Sequence, residues 1–380
     1  MEDARITTII VDTSAIHAAN SDFLGIKSEL LPSFYDALKE KGIVLLSHPV
    51  LDGEIAKHLS ESSLVKNKNE LVGLLVKTEN LLRQAGCYDE NLVDKIKAYD
   101  IKTALFNKYV DIHKDSVKLD YPKWEDVFKK YFQSVSPFAA TGKKKEEFPD
   151  AVIIESTKAY MAEHVNDILL VVSKDDDWES AFKDCDDVQV VKSIEEAISI
   201  INKVDCILSP DMMSDIFDAA YDEMKSDLEF ALECELYDVP EYEFESDFEI
   251  DSVKVKDINS FFVPLKVERN TLLFQTEVDI IVSGSGVILD EDRSVWDSEE
   301  KEYWLKAFAD LYVQKGVATV KAEILVEFDF DNPSEVSVSK TKLVNVGCID
   351  IISEKYSIDP IDSDKDMGEI YDALEGHLPN

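Results

Sequence analysis

Four short, largely apolar runs constrain this chain most: residues 6–11, 43–46, 168–172 and 188–191 are rich in Ile, Val and Leu without polar alternation. A strand of that kind is buried on both faces, which is the condition of a parallel sheet covered by helices. Helical patterning fills the intervals. It follows the first run to about Lys39, starts again at Gly53, and extends from Lys66 to Ile112 with Leu71, Leu74, Leu75, Leu81 and Leu82 at helical spacing. Further helices are expected over 124–132, 150–164 and 194–201. Strands alternating with helices mean βαβ units and a mainly parallel central sheet, so the first half reads as a three-layer α/β domain with a long helical insert. None of the runs is long enough to cross a bilayer. No basic stretch precedes the first, so neither a secretory leader nor a membrane partner is expected.

The second half has a different period. Residues 253–255, 261–267, 272–282, 317–330 and 335–344 alternate apolar and polar, most clearly at Val320, Ala322, Ile324, Val326, Phe328 and Phe330. That period of two predicts half-buried antiparallel strands, and residues 299–313 are read as strand as well. An acidic helix is expected over 214–236. The predicted organisation is an α/β domain over 1–203, an acidic helical connector over 204–250, and a β-rich α+β accessory domain over 251–380.

Charge follows the same division. The chain has 40 Lys and Arg against 79 Asp and Glu, a formal net charge of −39. Residues 1–203 hold 26 bases and 36 acids, whereas 205–250 hold one base, Lys225, and 16 acids. The window 101–150 is slightly basic, with 10 bases and 8 acids. Such a balance repels nucleic acid at long range, so any activity on it must be local to the first half and assisted by a cation. With 45% hydrophobic residues the chain can nonetheless build a core, which excludes a wholly disordered acidic protein. The five cysteines (Cys87, Cys185, Cys206, Cys234, Cys348) are scattered and form no CxxC pair. That spacing argues against a zinc cluster or disulfide framework and predicts a reducing, cytoplasmic setting.

Chemistry is carried by acids at the ends of elements. Asp12 follows the first strand in Val11-Asp12-Thr13-Ser14, and Asp175 follows a later one in Val172-Ser173-Lys174-Asp175-Asp176-Asp177-Trp178. Ligands in open α/β sheets bind beyond the carboxyl ends of the strands, so two such acids can share one crevice. Glu54, after Asp52-Gly53, and Asp150, after Phe148-Pro149, are each expected to open a helix. Carboxylates that converge repel one another unless a cation intervenes. Oxygen-only ligation suits Mg²⁺ or Mn²⁺, which can activate water for in-line attack on a phosphodiester. Taken singly, Asp12 and Asp150 also read as helix caps, Glu54 more readily as a first-turn helix acid, and Asp175 to Asp177 as a solvated turn. Lys143, Lys144 and Lys145 precede Asp150 and could meet phosphates. His58, four residues after Glu54, reads as a helix-surface histidine, and the aromatic residues look scattered, with no stacking platform for bases.

In these four pieces the chain from residue 6 to about 203 resembles a PIN domain, of the larger bacterial type with a helical insert and an added C-terminal domain. The resemblance implies a metal-dependent nuclease acting mostly on single-stranded RNA. By that likeness Asp12, Glu54, Asp150 and Asp175 match the four principal acids of the metal site, and Asp177 a further acid. Thr13 and Ser173 match small hydroxyl residues that line it. It also implies a toxin or defence effector. The interval between Glu54 and Asp150 is longer than in compact relatives, and the excess is assigned to helices over the substrate groove. Two alternatives stand beside this reading. One is a non-catalytic acidic module that engages or inhibits a basic protein; the other is a structure-specific DNA nuclease with the same metal chemistry. The acidic second half reads as an accessory module; a sharper hypothesis is that residues 211–251 cover the basic parts of the nuclease until a protein regulator displaces them.

Overall fold

In the computed structural model of the chain, residues 5–138, 148–203, 206–242, 244, 248–297, 301–344 and 347–361 are described. Two compact units emerge: Met1–Ile207 together with Val263–Val267, and Leu208–Phe262 together with Glu268–Asn380.

The first unit is built on five strands, β1 (Thr8–Val11), β2 (Val44–Ser47), β3 (Val117–Lys118), β4 (Leu169–Val172) and β5 (Val188–Val191), all parallel and ordered β3-β2-β1-β4-β5. The helices between them are α1 (Thr13–Ala18), α2 (Leu30–Lys41), α3 (Pro49–Leu59), α4 (Ser63–Lys77), α5 (Glu79–Gln84), α6 (Glu90–Ala98), α7 (Ile101–His113), α8 (Trp124–Gln133), α9 (Phe148–Glu163), α10 (Asp176–Phe182) and α11 (Ile194–Lys203). Both faces of the sheet are covered, as the unbroken apolar runs require. On one side Ile10, Leu46 and Val171 pack with Leu51 of α3, Ile153 and Ile154 of α9 and Trp178 of α10. The intervening Ile9, Leu170 and Val172 are equally buried and point the other way; α11 packs on β4 and on α2. Thr8, polar in a buried strand, is satisfied by donating to Asp167 Oδ2 at 3.1 Å.

Two local expectations are revised. The helical stretch from Lys66 to Ile112 is not continuous, because caps interrupt it. Gly86 sits at φ +72° just beyond α5, Asp89 accepts from Leu92 N to start α6, and Asp100 accepts from Thr103 N to start α7. Helix α3 begins at Pro49 rather than Gly53. His48 caps it through Nδ1, which accepts from Val50 N at 3.1 Å, and Pro49 occupies the first turn, where its missing N–H costs nothing. Glu54 therefore lies mid-helix and gains nothing from the helix N-terminus.

Val263–Val267 joins this unit from far along the sequence. The buried Asn202 of α11 donates from Nδ2 to Pro264 O at 2.8 Å and Leu265 O at 3.3 Å.

The second unit is antiparallel. After α12 (Pro210–Leu232) come β6 (Tyr237–Asp238) and β7 (Glu249–Ile258). With Val263–Val267 numbered β8, there follow β9 (Thr271–Leu289), β10 (Val295–Asp297), β11 (Glu302–Leu305), β12 (Phe308–Asp329), β13 (Asn332–Val344), β14 (Ile349–Asp350) and β15 (Ile352–Pro360). Its main sheet runs β13-β12-β9-β7, with β15 pairing the first half of β12 and β13 the second. Val320, Ala322, Ile324, Val326 and Phe328 are buried at alternate positions, as their period predicts. The acidic helix α12 buries Ile216, Phe217, Ala220, Met224, Leu228 and Leu232 and packs on β7, β12 and β13. Gly284 is required by close approach, since a Cβ there would meet Glu249 O at 2.4 Å and the Phe248 ring at 2.7 Å. Among the described residues no helix is long and apolar enough to cross a membrane.

Candidate active site

The strand order reverses direction at β1: β2 lies on one side and β4 on the other. The crevice beyond the carboxyl ends of β1 and β4 is therefore the topological switch point, where this sheet class holds ligands. Val11 is in register with Val172, and Asp12 N donates to Val172 O at 2.9 Å. Asp12 and Ser173 are thus brought side by side although 161 positions separate them.

Asp12 is almost fully buried, at 2% exposure. It is the N-cap of α1, accepting from Ser14 N at 3.3 Å. The same carboxylate accepts from the Ser14 hydroxyl and, at 2.9 Å, from Ser173 Oγ. Ser14 Oγ in turn accepts from Lys174 N at 3.1 Å, which clamps the loop after β4 to the start of α1. The cap reading of Asp12 is thus realised in this side chain.

Glu54, on α3, is held by Thr13, whose Oγ1 donates to Glu54 Oε2 at 3.2 Å. Asp175 caps α10 by backbone position, but its side chain makes no capping hydrogen bond. Asp177, in the first turn of α10, is buried and accepts from Ser136 Oγ at 2.9 Å. Asp150 sits half-buried in the first turn of α9.

Electrostatics ties three of these acids together. Burial pushes the Asp12 carboxyl above its ordinary range, and the charge of Asp175 adds to the rise, against the Ser14 and Ser173 hydrogen bonds. Burial likewise raises Glu54, with the charge of Asp12 adding and the Thr13 hydrogen bond opposing. A buried carboxylate and a half-buried one, both resisting ionisation in the field of a neighbouring acid, define a place where a cation would be stabilising.

Among the described residues, however, no group of three or more His, Cys, Asp and Glu side chains stands close enough to hold a metal ion. Asp12 turns to Ser14 and Ser173, Glu54 to Thr13, and Asp177 to Ser136, each accepting from a hydroxyl. The donor chemistry, all carboxylate and hydroxyl oxygen, suits a hard divalent cation.

Of the other expected residues, Lys143, Lys144 and Lys145 lie outside the described residues. Ser14 was not foreseen as a site residue; its position two after a strand-end Asp is the signal that could have found it, because that spacing places its N–H and hydroxyl on the capping carboxylate. The structure also brings His58 of α3 near His17 of α1, ring centroids 5.8 Å apart, a pairing that their separation along the chain conceals.

Residues 9–178 match the family model of the PIN domain. This stretch is a PIN domain. The match takes in all five acids and stops short of α11 and the whole antiparallel unit. PIN domains are generally nucleases that hydrolyse phosphodiester bonds and use divalent metals. No curated protein matches the chain.

Proposed function

We propose that the PIN domain is an endonuclease that cleaves single-stranded RNA with Mg²⁺ or Mn²⁺. The observation that supports this most is the buried Asp12 at the β1/β4 switch point, electrostatically coupled to Glu54 and Asp175. In this reading Asp12, Glu54 and Asp175 hold the cation, joined by Asp150 and Asp177 from the starts of α9 and α10. The bound cation supplies counter-charge and Lewis acidity at the scissile phosphate. Ser14 and Ser173 hold the Asp12 carboxylate by hydrogen bonds, and Thr13 holds Glu54. Lys143, Lys144 and Lys145 steer phosphate. A role as toxin or defence effector, acting in the cytoplasm under a protein regulator, rests on family analogy.

The test is cleavage of labelled single-stranded RNA, single-stranded DNA and flap DNA by the full chain, with and without Mn²⁺. Metal-dependent cutting of the RNA alone is expected. Cutting of flap DNA in preference would move the substrate to DNA, and no cutting of any strand would leave a non-catalytic acidic module.

A further inference from the structure

We propose that α8 carries a stacking track for the unpaired bases of a single-stranded nucleic acid. This deepens the nuclease reading and rests on it for the identity of the polymer. Tyr121, Trp124, Phe128 and Phe132 are three or four residues apart, so one face of the helix and its approach displays four rings in a row. Their centroids are 6.3, 6.3 and 6.4 Å apart along the row, with interplanar angles of 24°, 40° and 28°. All four face water, with exposures of 54%, 50%, 44% and 79%.

An apolar row this exposed is costly unless something covers it. A core face would interdigitate rings edge-on among aliphatic side chains, and the opposite face of α8 does so through the buried Val127 and through Tyr131, which meets Phe138 edge-on. Along the row the outer rings instead lie stacked or tilted on one another and stay exposed to water, an arrangement that can receive successive bases.

The row is continuous with the candidate active site. Tyr121 meets His48, the cap of the helix that bears Glu54, at 4.8 Å. Phe128 meets Phe148, two residues before Asp150, at 6.0 Å. Ser136, four residues beyond Phe132, donates to Asp177. Two helices that carry candidate acids, α3 and α9, therefore adjoin the track, and the segment just beyond it reaches a third, α10. It also lies within the stretch of 101–150 where bases outnumber acids in a chain of net charge −39. Lys123 and Lys129 are exposed on the same segment, though Glu125 and Asp126 are too. Rings rather than charge must then provide most of the grip, which makes the track tolerant of sequence and selective for unpaired strands, since a duplex hides its base faces.

The test uses the full chain in EDTA, so that nothing is cut, with a fluorescein-labelled oligouridylate and a labelled RNA duplex as probes. Trp124→Leu and Phe132→Leu keep apolar bulk at exposed positions and remove the ring. Each should weaken single-strand binding by roughly 5- to 150-fold, leave duplex binding unchanged and leave the circular dichroism spectrum unchanged. Trp124→Phe should retain affinity. Wild-type affinity in the folded double Leu variant, an equal loss for the duplex, or no binding of oligouridylate by the unaltered chain would each overturn the track; the first is also the outcome if the row docks a protein. Cleavage with Mn²⁺ is scored separately. A chain that binds through the rings but cuts nothing keeps the track and loses the hydrolase. A chain that cuts, with the Leu variants unchanged in affinity and KM, does the reverse.

Discussion

At the scale of single residues, the candidate site behaves as a set of carboxylates held by hydroxyls. Asp12→Asn keeps an oxygen for Ser14 and Ser173 and a good N-cap residue, while removing the charge that burial disfavours. It should leave thermal stability within about 1 kcal/mol and abolish RNA cleavage. It should also remove the stabilisation that Mn²⁺ gives the unaltered chain, about 2.7 kcal/mol at a hundred-fold excess over Kd. A melting series with and without Mn²⁺ checks all of this apart from the cleavage assay. His113 offers a pH prediction away from the site. Burial among Tyr35 and Tyr109 pushes its imidazole down to about 4, against the backbone carbonyl of Tyr109 and the charge of Asp52, while Lys118 nearby reinforces the fall. The unfolded chain binds this proton below its ordinary value of about 6.5, the folded one only near pH 4. Stability is therefore complete above the unfolded value and declines as pH falls through the interval, by about 3 kcal/mol in all. Denaturant midpoints between pH 7 and pH 4.5 should show that slope, and His113→Gln should flatten it.

At the scale of elements, the parallel strands and the alternating β12 were legible because burial on both faces and burial on one face write different periods into the sequence. Helix starts were less so. Gly53 offers itself as an apparent boundary but lies within α3, where His48 and Pro49 set the real start, since an imidazole nitrogen can also accept the capping hydrogen bond. The pairing of Val263–Val267 with α11 has no local signature, because Asn202 lies 62 residues before Pro264. Asn202→Ala would leave the Pro264 and Leu265 carbonyls without their buried donor, at a cost of about 1–3 kcal/mol. Hydrogen exchange at residues 263–267 should accelerate before that of β1 or β4; equal protection in the variant would mean that the strand is held by other contacts.

At the scale of the molecule, the two units have separate cores and separate secondary structure, but the chain does not divide at one point. A protein ended after Ile207 lacks Val263–Val267, whose Leu265 is fully buried in the first unit. Such a truncation should melt lower than the same unit in the intact chain and expose the apolar side of α11, measurable by calorimetry and dye binding. Joining residues 263–267 back through a short linker should restore the melting temperature. Any assay of whether the acidic half restrains the nuclease has to use the restored form, because loss of activity in the bare truncation would report unfolding.

The amino-acid order alone determined the sheet class, the strand ends and the acids that follow them, because each is a local pattern: an apolar run, a period, a residue at a boundary. Tertiary structure decided which of those acids meet. Asp12 and Ser173 are neighbours only because β1 and β4 pair in register, Glu54 is tied to the start of α1 only through Thr13, and the four aromatic rings form a row only once α8 fixes their common face. Contacts across long stretches of chain leave no periodic trace, so they become visible only when the backbone has closed around them.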